Sequence, residues 1–197
     1  MEVSVERVRG RHPLTSRDEV GRAALTLFAR RGFEQTTLSD VAAAVGVGRR
    51  TLFRYYASKN DMVWGDFDSV LQRLRTALAR PLPSERPMQT LTRAVIDSNH
   101  YEGEALLDLR QRMTLIITVP ALQAHSMVRY TEWRHVVEEF VREQLRPVDD
   151  VFVPTLVGHM ALAASMAAFA SWVEHPQELL EDRLRTAYDA LEQAFGA

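Results

Sequence analysis

The sequence predicts an all-α chain. Strand signals are nearly absent: no Asn-Gly or Asp-Gly turn occurs, and no stretch sustains an apolar–polar alternation. Apolar residues recur instead at helical spacing, and glycines and prolines fall where helices would stop. The length of 197 residues suits a small domain fused to a larger one, with enough chain to bury a core without staples.

The elements follow in order. Residues 1–13 are polar and basic, with Arg7, Arg9 and Arg11, and read either as an arm for a minor groove or as a tail. Thr15 or Ser16 caps a first helix, with Asp18 and Glu19 in its first turn. Val20, Ala24, Leu27 and Phe28 give it one apolar face, and Gly32 stops it. Thr37 caps a second helix, with Asp40 three residues on. Leu38, Val41, Ala42 and Val45 form its inner face, and Gly46 breaks it. A short third helix spans about 48–56. Ser58 caps a long fourth helix over about 59–80, ended by Pro81 and Pro83. Five further helices are expected at about 87–101, 104–118, 121–146, 151–174 and 177–195, about nine in all, with breaks at Gly103, Pro120, Pro147 and His175-Pro176.

Composition excludes several kinds of chemistry. There is no cysteine, so disulfides, thiolate metal sites and cysteine nucleophiles are ruled out. The six histidines are scattered, and neither a Gly-x-Ser-x-Gly elbow nor a phosphate loop is present, so no catalytic or metal site is expected. The beginning of the chain shows no signal-peptide pattern, and the apolar run around Met160–Val173 is interrupted by serines and short for a bilayer. A cytoplasmic protein without membrane attachment is the expectation. The net charge of −2 conceals an asymmetry. Ten arginines and Lys59 face six acids in residues 1–60, and the remainder is acidic. A basic head on an acidic body suggests a head that meets a polyanion.

The run from Thr36 to Lys59 carries the functional reading. Ala42 is small enough for two helices to approach, Gly46 suits a tight left-handed turn, and Val47 plugs the angle between the helices. The next helix then presents Arg49, Arg50 and Arg54 outward. This is a helix-turn-helix, whose second helix enters the major groove of DNA. With the preceding Phe28-Ala29-Arg30-Arg31-Gly32-Phe33 and the Thr51-Leu52-Phe53-Arg54-Tyr55-Tyr56 block, residues 16–65 resemble the TetR family of transcriptional regulators.

The resemblance implies a dimeric DNA-binding regulator, usually a repressor, with a helix-turn-helix domain at 14–57 and a helical ligand-binding and dimerisation domain at 58–197. By position it implies that Thr37 contacts phosphate and that Arg49, Arg50 and Thr51 face base edges. Arg54 would reach bases or backbone, and Tyr55 and Lys59 would hold phosphates. Two positions depart from the family pattern. Phe53 stands where a tyrosine is common and either touches a thymine methyl or packs. Gly48 replaces a serine or threonine cap.

The segments Trp64-Gly65-Asp66-Phe67-Asp68 and Tyr130-Thr131-Glu132-Trp133-Arg134 resemble a branch associated with mycofactocin biosynthesis genes. That branch implies a long-chain acyl-coenzyme A effector. Trp64, Phe67, Met113, Ile116, Ile117, Met127, Tyr130 and Trp133 are the expected lining of an elongated apolar site. Leu156, Met160, Ala164, Ala167, Leu184, Tyr188 and Leu191 are the expected homodimer surface, two helices from each chain forming a four-helix bundle. The competing readings are a ligand-sensing dimer without specific DNA binding, which the basic head disfavours, and an enzyme acting on acyl-coenzyme A, for which no catalytic constellation exists.

Overall fold

The computed structural model describes residues 16–144 and 151–195. The basic arm and the Pro147–Asp150 break lie outside the described residues. Ten helices, and no strand, occur among those described.

The chain divides into two compact units, Met1–Gly65 and Asp66–Ala197. The head contains α1 (Arg17–Arg31), α2 (Leu38–Ala44), α3 (Arg49–Tyr55) and α4 (Lys59–Trp64). The expected boundary at residue 57 moves to 65, because α4 packs on α1 and belongs to the head core. The expected single helix over 59–80 is two helices. Gly65 adopts φ +59, a conformation that favours glycine. Asp66 then caps α5 (Phe67–Leu78) by accepting from the Ser69 amide.

The body adds α6 (Pro87–Ser98), α7 (Gly103–Thr118), α8 (Pro120–Gln144), α9 (Phe152–Glu174) and α10 (Leu180–Phe195). α9 packs along both α8 and α10, and α5 lies on α6 and α8. Two partners explain why α9 is apolar around its circumference. At 23 residues, with an 18-residue stretch of mean hydropathy 1.5, it is by length and composition long and apolar enough to cross a bilayer, which corrects the expectation of a run too short to do so. Ser165 does not interrupt the helix, because its hydroxyl bonds Tyr188 of α10.

Gly158 lets α8 approach α9. A Cβ there would stand 2.9 Å from Glu138 Cγ and 3.5 Å from the Arg134 carbonyl oxygen. Further along the same helix, Tyr188 of α10 donates to the Ala161 carbonyl (3.1 Å) and accepts from Ser165 (2.9 Å). Burial pushes its phenol pKa up.

The Pro81–Arg86 connection is tied down by Glu85. Its two carboxylate oxygens take Arg93 Nε (2.8 Å) and Nη2 (2.9 Å), and one also accepts from the Leu82 amide and Thr90. Arg93, foremost, and the Leu82 amide hold the Glu85 carboxyl down to about 2. A carboxyl depressed in the folded state stabilises the fold above the ordinary glutamate range near 4.5 and loses that contribution as pH falls toward 2. Glu85→Gln is therefore expected to flatten the fall in stability over that window, read as denaturant midpoints at successive pH values. An unchanged acid limb would contradict it.

Candidate nucleic-acid interface

The head builds one outward face from short elements. Ser16 and Thr37 each close a capping box, with Glu19 and Asp40 respectively. Asp40 accepts from the Thr37 amide (2.8 Å) and hydroxyl (2.6 Å), and Arg31 lies 3.3 Å away. Those Thr37 bonds, foremost, with Arg31 as a lesser cause, hold the Asp40 carboxyl below the usual range. Thr37 itself is exposed at the start of α2.

Val41 and Ala42 bury the inner side of α2. Gly46 takes φ +68 and donates to the Ala43 carbonyl; Val47 donates to that of Ala42 (3.0 Å). This four-residue turn, 45–48, aims α3. Gly48 caps α3 without a side-chain bond. The helix holds to the head through Leu52, with Tyr56 just beyond its end, both almost fully buried. Tyr56 also donates to the Arg17 carbonyl (3.1 Å), and the Arg17 guanidinium lies over its ring.

The opposite side of α3 presents Arg49, Arg50, Phe53 and Arg54, all exposed, with Thr51 and Tyr55 half-buried at its edges. Residues spaced by three and four positions share a helix face. Arg49 and Arg50 have no carboxylate partner among the described residues. Arg54 folds back, its Nη2 donating to the Tyr55 hydroxyl at 3.2 Å.

Lys59 departs from expectation. Its ammonium points into the head, donating to the carbonyls of Phe33 (2.8 Å) and Thr36 (3.2 Å) and lying 4.1 Å from the centre of the Phe33 ring. Phe33 in turn packs against Phe28. The lysine thus ties α4 to the corner between α1 and α2. No single-residue pattern in the sequence separates this role from a phosphate contact.

In the body, Met113, Ile116 and Trp133 are buried, and Phe67, Ile117 and Tyr130 half-buried. The Arg129 guanidinium lies over the Phe67 ring. Burial raises the Tyr130 phenol pKa. Trp64 is buried in the head at the end of α4, not in the body. Met127 corrects the expected lining: it is 61% exposed, and the adjacent Ser126 turns inward, its hydroxyl donating to the Leu122 carbonyl. A surface groove of about 410 Å³ opens between α5 and α6, lined by Gln72, Arg73, Thr76, Ala77, Arg80, Arg93 and Asp97, away from that apolar set.

The expected dimer residues also divide. Leu156 and Ala167 are exposed, and Met160 and Leu191 half-buried. Ala164, Leu184 and Tyr188 are instead core, buried where α9 and α10 pack within one chain. Phe152, 68% exposed at the start of α9, extends the open stripe and was not singled out from sequence.

Residues 22–63 match the family model for bacterial regulatory proteins, tetR family, and residues 85–196 match the MftR C-terminal domain. Over 182 residues the chain is 34% identical to a Mycobacterium tuberculosis protein named as a mycofactocin biosynthesis transcriptional regulator, MftR, covering 92% of each chain. Its fold is similar to that of a TetR-family regulator of Syntrophomonas wolfei (TM-score 0.66, 14% identity, 88% of this chain and 91% of that one). It is also similar to Thermus thermophilus FadR, a TetR-family repressor solved with lauroyl-CoA (TM-score 0.58, 22% identity, 91% and 95% covered).

Lys59→Met is expected to lower head stability by about 2 kcal/mol, the scale of hydrogen bonds to a charged donor. A thermal melt of the whole chain measures it, with the salt dependence of DNA binding preserved. A variant that melts like the parent but loses one unit of salt slope would return Lys59 to a phosphate.

Proposed function

The chain belongs to the TetR family of bacterial regulatory proteins, and on that premise we propose that it is a homodimeric repressor released from a palindromic operator by a long-chain acyl-coenzyme A. It is a ligand-responsive DNA-binding regulator and not an enzyme. The observation that carries the DNA reading is the α3 face of Arg49, Arg50, Phe53 and Arg54, held out from the head by a buried Leu52.

The roles follow from chemistry. Arg49 and Arg50 have free guanidinium forks suited to O6 and N7 of guanine. Thr51 lies beside them, and Arg54 with Tyr55 flanks the DNA backbone. Thr37, at the N-terminus of α2, meets phosphate, where the helix dipole favours an anion. One seven-residue helix reads only a few base pairs, so two-fold pairing supplies the rest of the specificity. The open stripe of α9, running through Phe152, Leu156, Met160, Ala163 and Ala167, and the outer side of α10 at Leu191 are the surfaces proposed to pair.

The acyl effector reading rests on Met113, Ile116, Ile117, Tyr130 and Trp133, which concentrate apolar and aromatic surface on α7 and α8. Such a ligand releases DNA only if it binds the non-reading state better than the reading one. Similarity to the M. tuberculosis regulator supports mycofactocin biosynthesis genes as targets, and a cytoplasmic site of action follows from the DNA partner.

In a mobility shift on a selected operator, the parent is expected to bind as two chains per site. Arg50→Ala should cost about 1–3 kcal/mol per half-site and relax one base preference. Unchanged titration would remove Arg50 from the reading set. Oleoyl- or palmitoyl-coenzyme A, at concentrations where free coenzyme A has no effect, should dissociate that complex. A complex indifferent to both esters would end the acyl reading and leave the DNA reading standing.

A further inference from the structure

Phe53 is the one large apolar side chain left exposed among the described residues of the head, 49% open to solvent. Its setting is otherwise cationic. On α3 it follows Arg49 by one turn and adjoins Arg50 and Arg54 on the same face. The inner side of the helix is already filled by Leu52, so Phe53 is not the residue that seats it.

We infer that Phe53 is a specificity residue that reads the 5-methyl group of a thymine in the operator. The inference rests on the DNA-binding reading above and adds a base identity to it. A phenylalanine ring has no donor or acceptor, so it cannot hold a phosphate oxygen or a polar base edge. In the major groove the apolar feature open to it is the thymine methyl, and contact there separates thymine from cytosine and uracil. The placement also gives a position. Residues four apart on a helix are about 6 Å apart along its axis, close to two base-pair steps of about 3.4 Å. The thymine therefore lies within one or two base pairs of the base read by Arg49, as the helix tilts along the groove.

Deoxyuridine tests this without touching the protein, because it pairs like thymidine and lacks only the methyl. Operators are first selected from a random duplex library with the intact protein. Each thymine is then replaced in turn by deoxyuridine, and affinity is titrated. One thymine per half-site should respond, with a loss of about fourfold each, the scale of burying one methyl group. Phe53→Ala should bind the thymine operator more weakly and lose the difference between the two bases at that position. Phe53→Leu, which keeps an apolar side chain, should retain part of it. Circular-dichroism melts establish that both variants fold. The inference is overturned if the parent tolerates deoxyuridine at every thymine, or if Phe53→Ala remains as sensitive as the parent at the same position. Enrichment of no sequence at all would instead remove the DNA reading beneath it.

Discussion

A helix that stops inside a folded chain leaves its last carbonyl oxygens without partners, and ten helices pose that problem repeatedly. Here cations from neighbouring elements answer it. Arg17 donates to the Gly65 carbonyl at the end of α4, and Arg73 to that of Ser98 at the end of α6. Arg110 donates to the Trp172 carbonyl in the last turn of α9 while stacking on its ring, and Arg93 reaches the Arg80 carbonyl just beyond α5. Lys59 does the same at the corner after α1. The bonds from Arg17, Arg73 and Arg110 meet the negative end of a helix dipole, and each helps fix where the next segment departs. Burial lowers the Arg110 pKa, while its guanidinium donates to the Trp172 carbonyl.

Much of this architecture was legible from sequence because its signals are local. A polar cap followed by an acid three residues on places the starts of α1 and α2. The Gly46 turn and the outward arginines of α3 are equally local. The break at Gly65 was not legible. Apolar residues keep helical spacing across it, and an isolated glycine costs a helix only about 1 kcal/mol. The break needs Gly65 and the Asp66 cap together. Partner choice was harder still. The amphipathic stripe of α10 can face one neighbour, and sequence could not tell α9 of the same chain from α9 of another. Leu184 and Tyr188 turn to their own α9. On α8 the apolar Met127 was expected inside, but Ser126 goes in because a hydroxyl bonded to its own helix is as easily buried as a small apolar group.

The candidate site sits on a helix that is weak by itself. α3 has seven residues, no side-chain cap, and like charges at Arg50 and Arg54 one turn apart. Such a pair opposes helix formation by a few tenths of a kcal/mol. The order of α3 is supplied from behind, by Leu52, Tyr56 and the corner that Lys59 holds. Phosphates in front would relieve the charge repulsion, so the same arginines that strain the free helix suit the bound one. Recognition and local stability are thus coupled in a few residues.

The placement of Lys59 has a consequence for covalent chemistry. It is the single lysine of the chain, and no cysteine accompanies it. Amine-directed reagents and acyl donors therefore find one side-chain amine, and that amine grips two carbonyls and an aromatic face. Acylating it would erase its charge and break the corner between α1 and α2 in one step. For a chain proposed to sense acyl thioesters, having arginine everywhere else leaves very little side-chain surface on which such reactive molecules can leave a lasting mark.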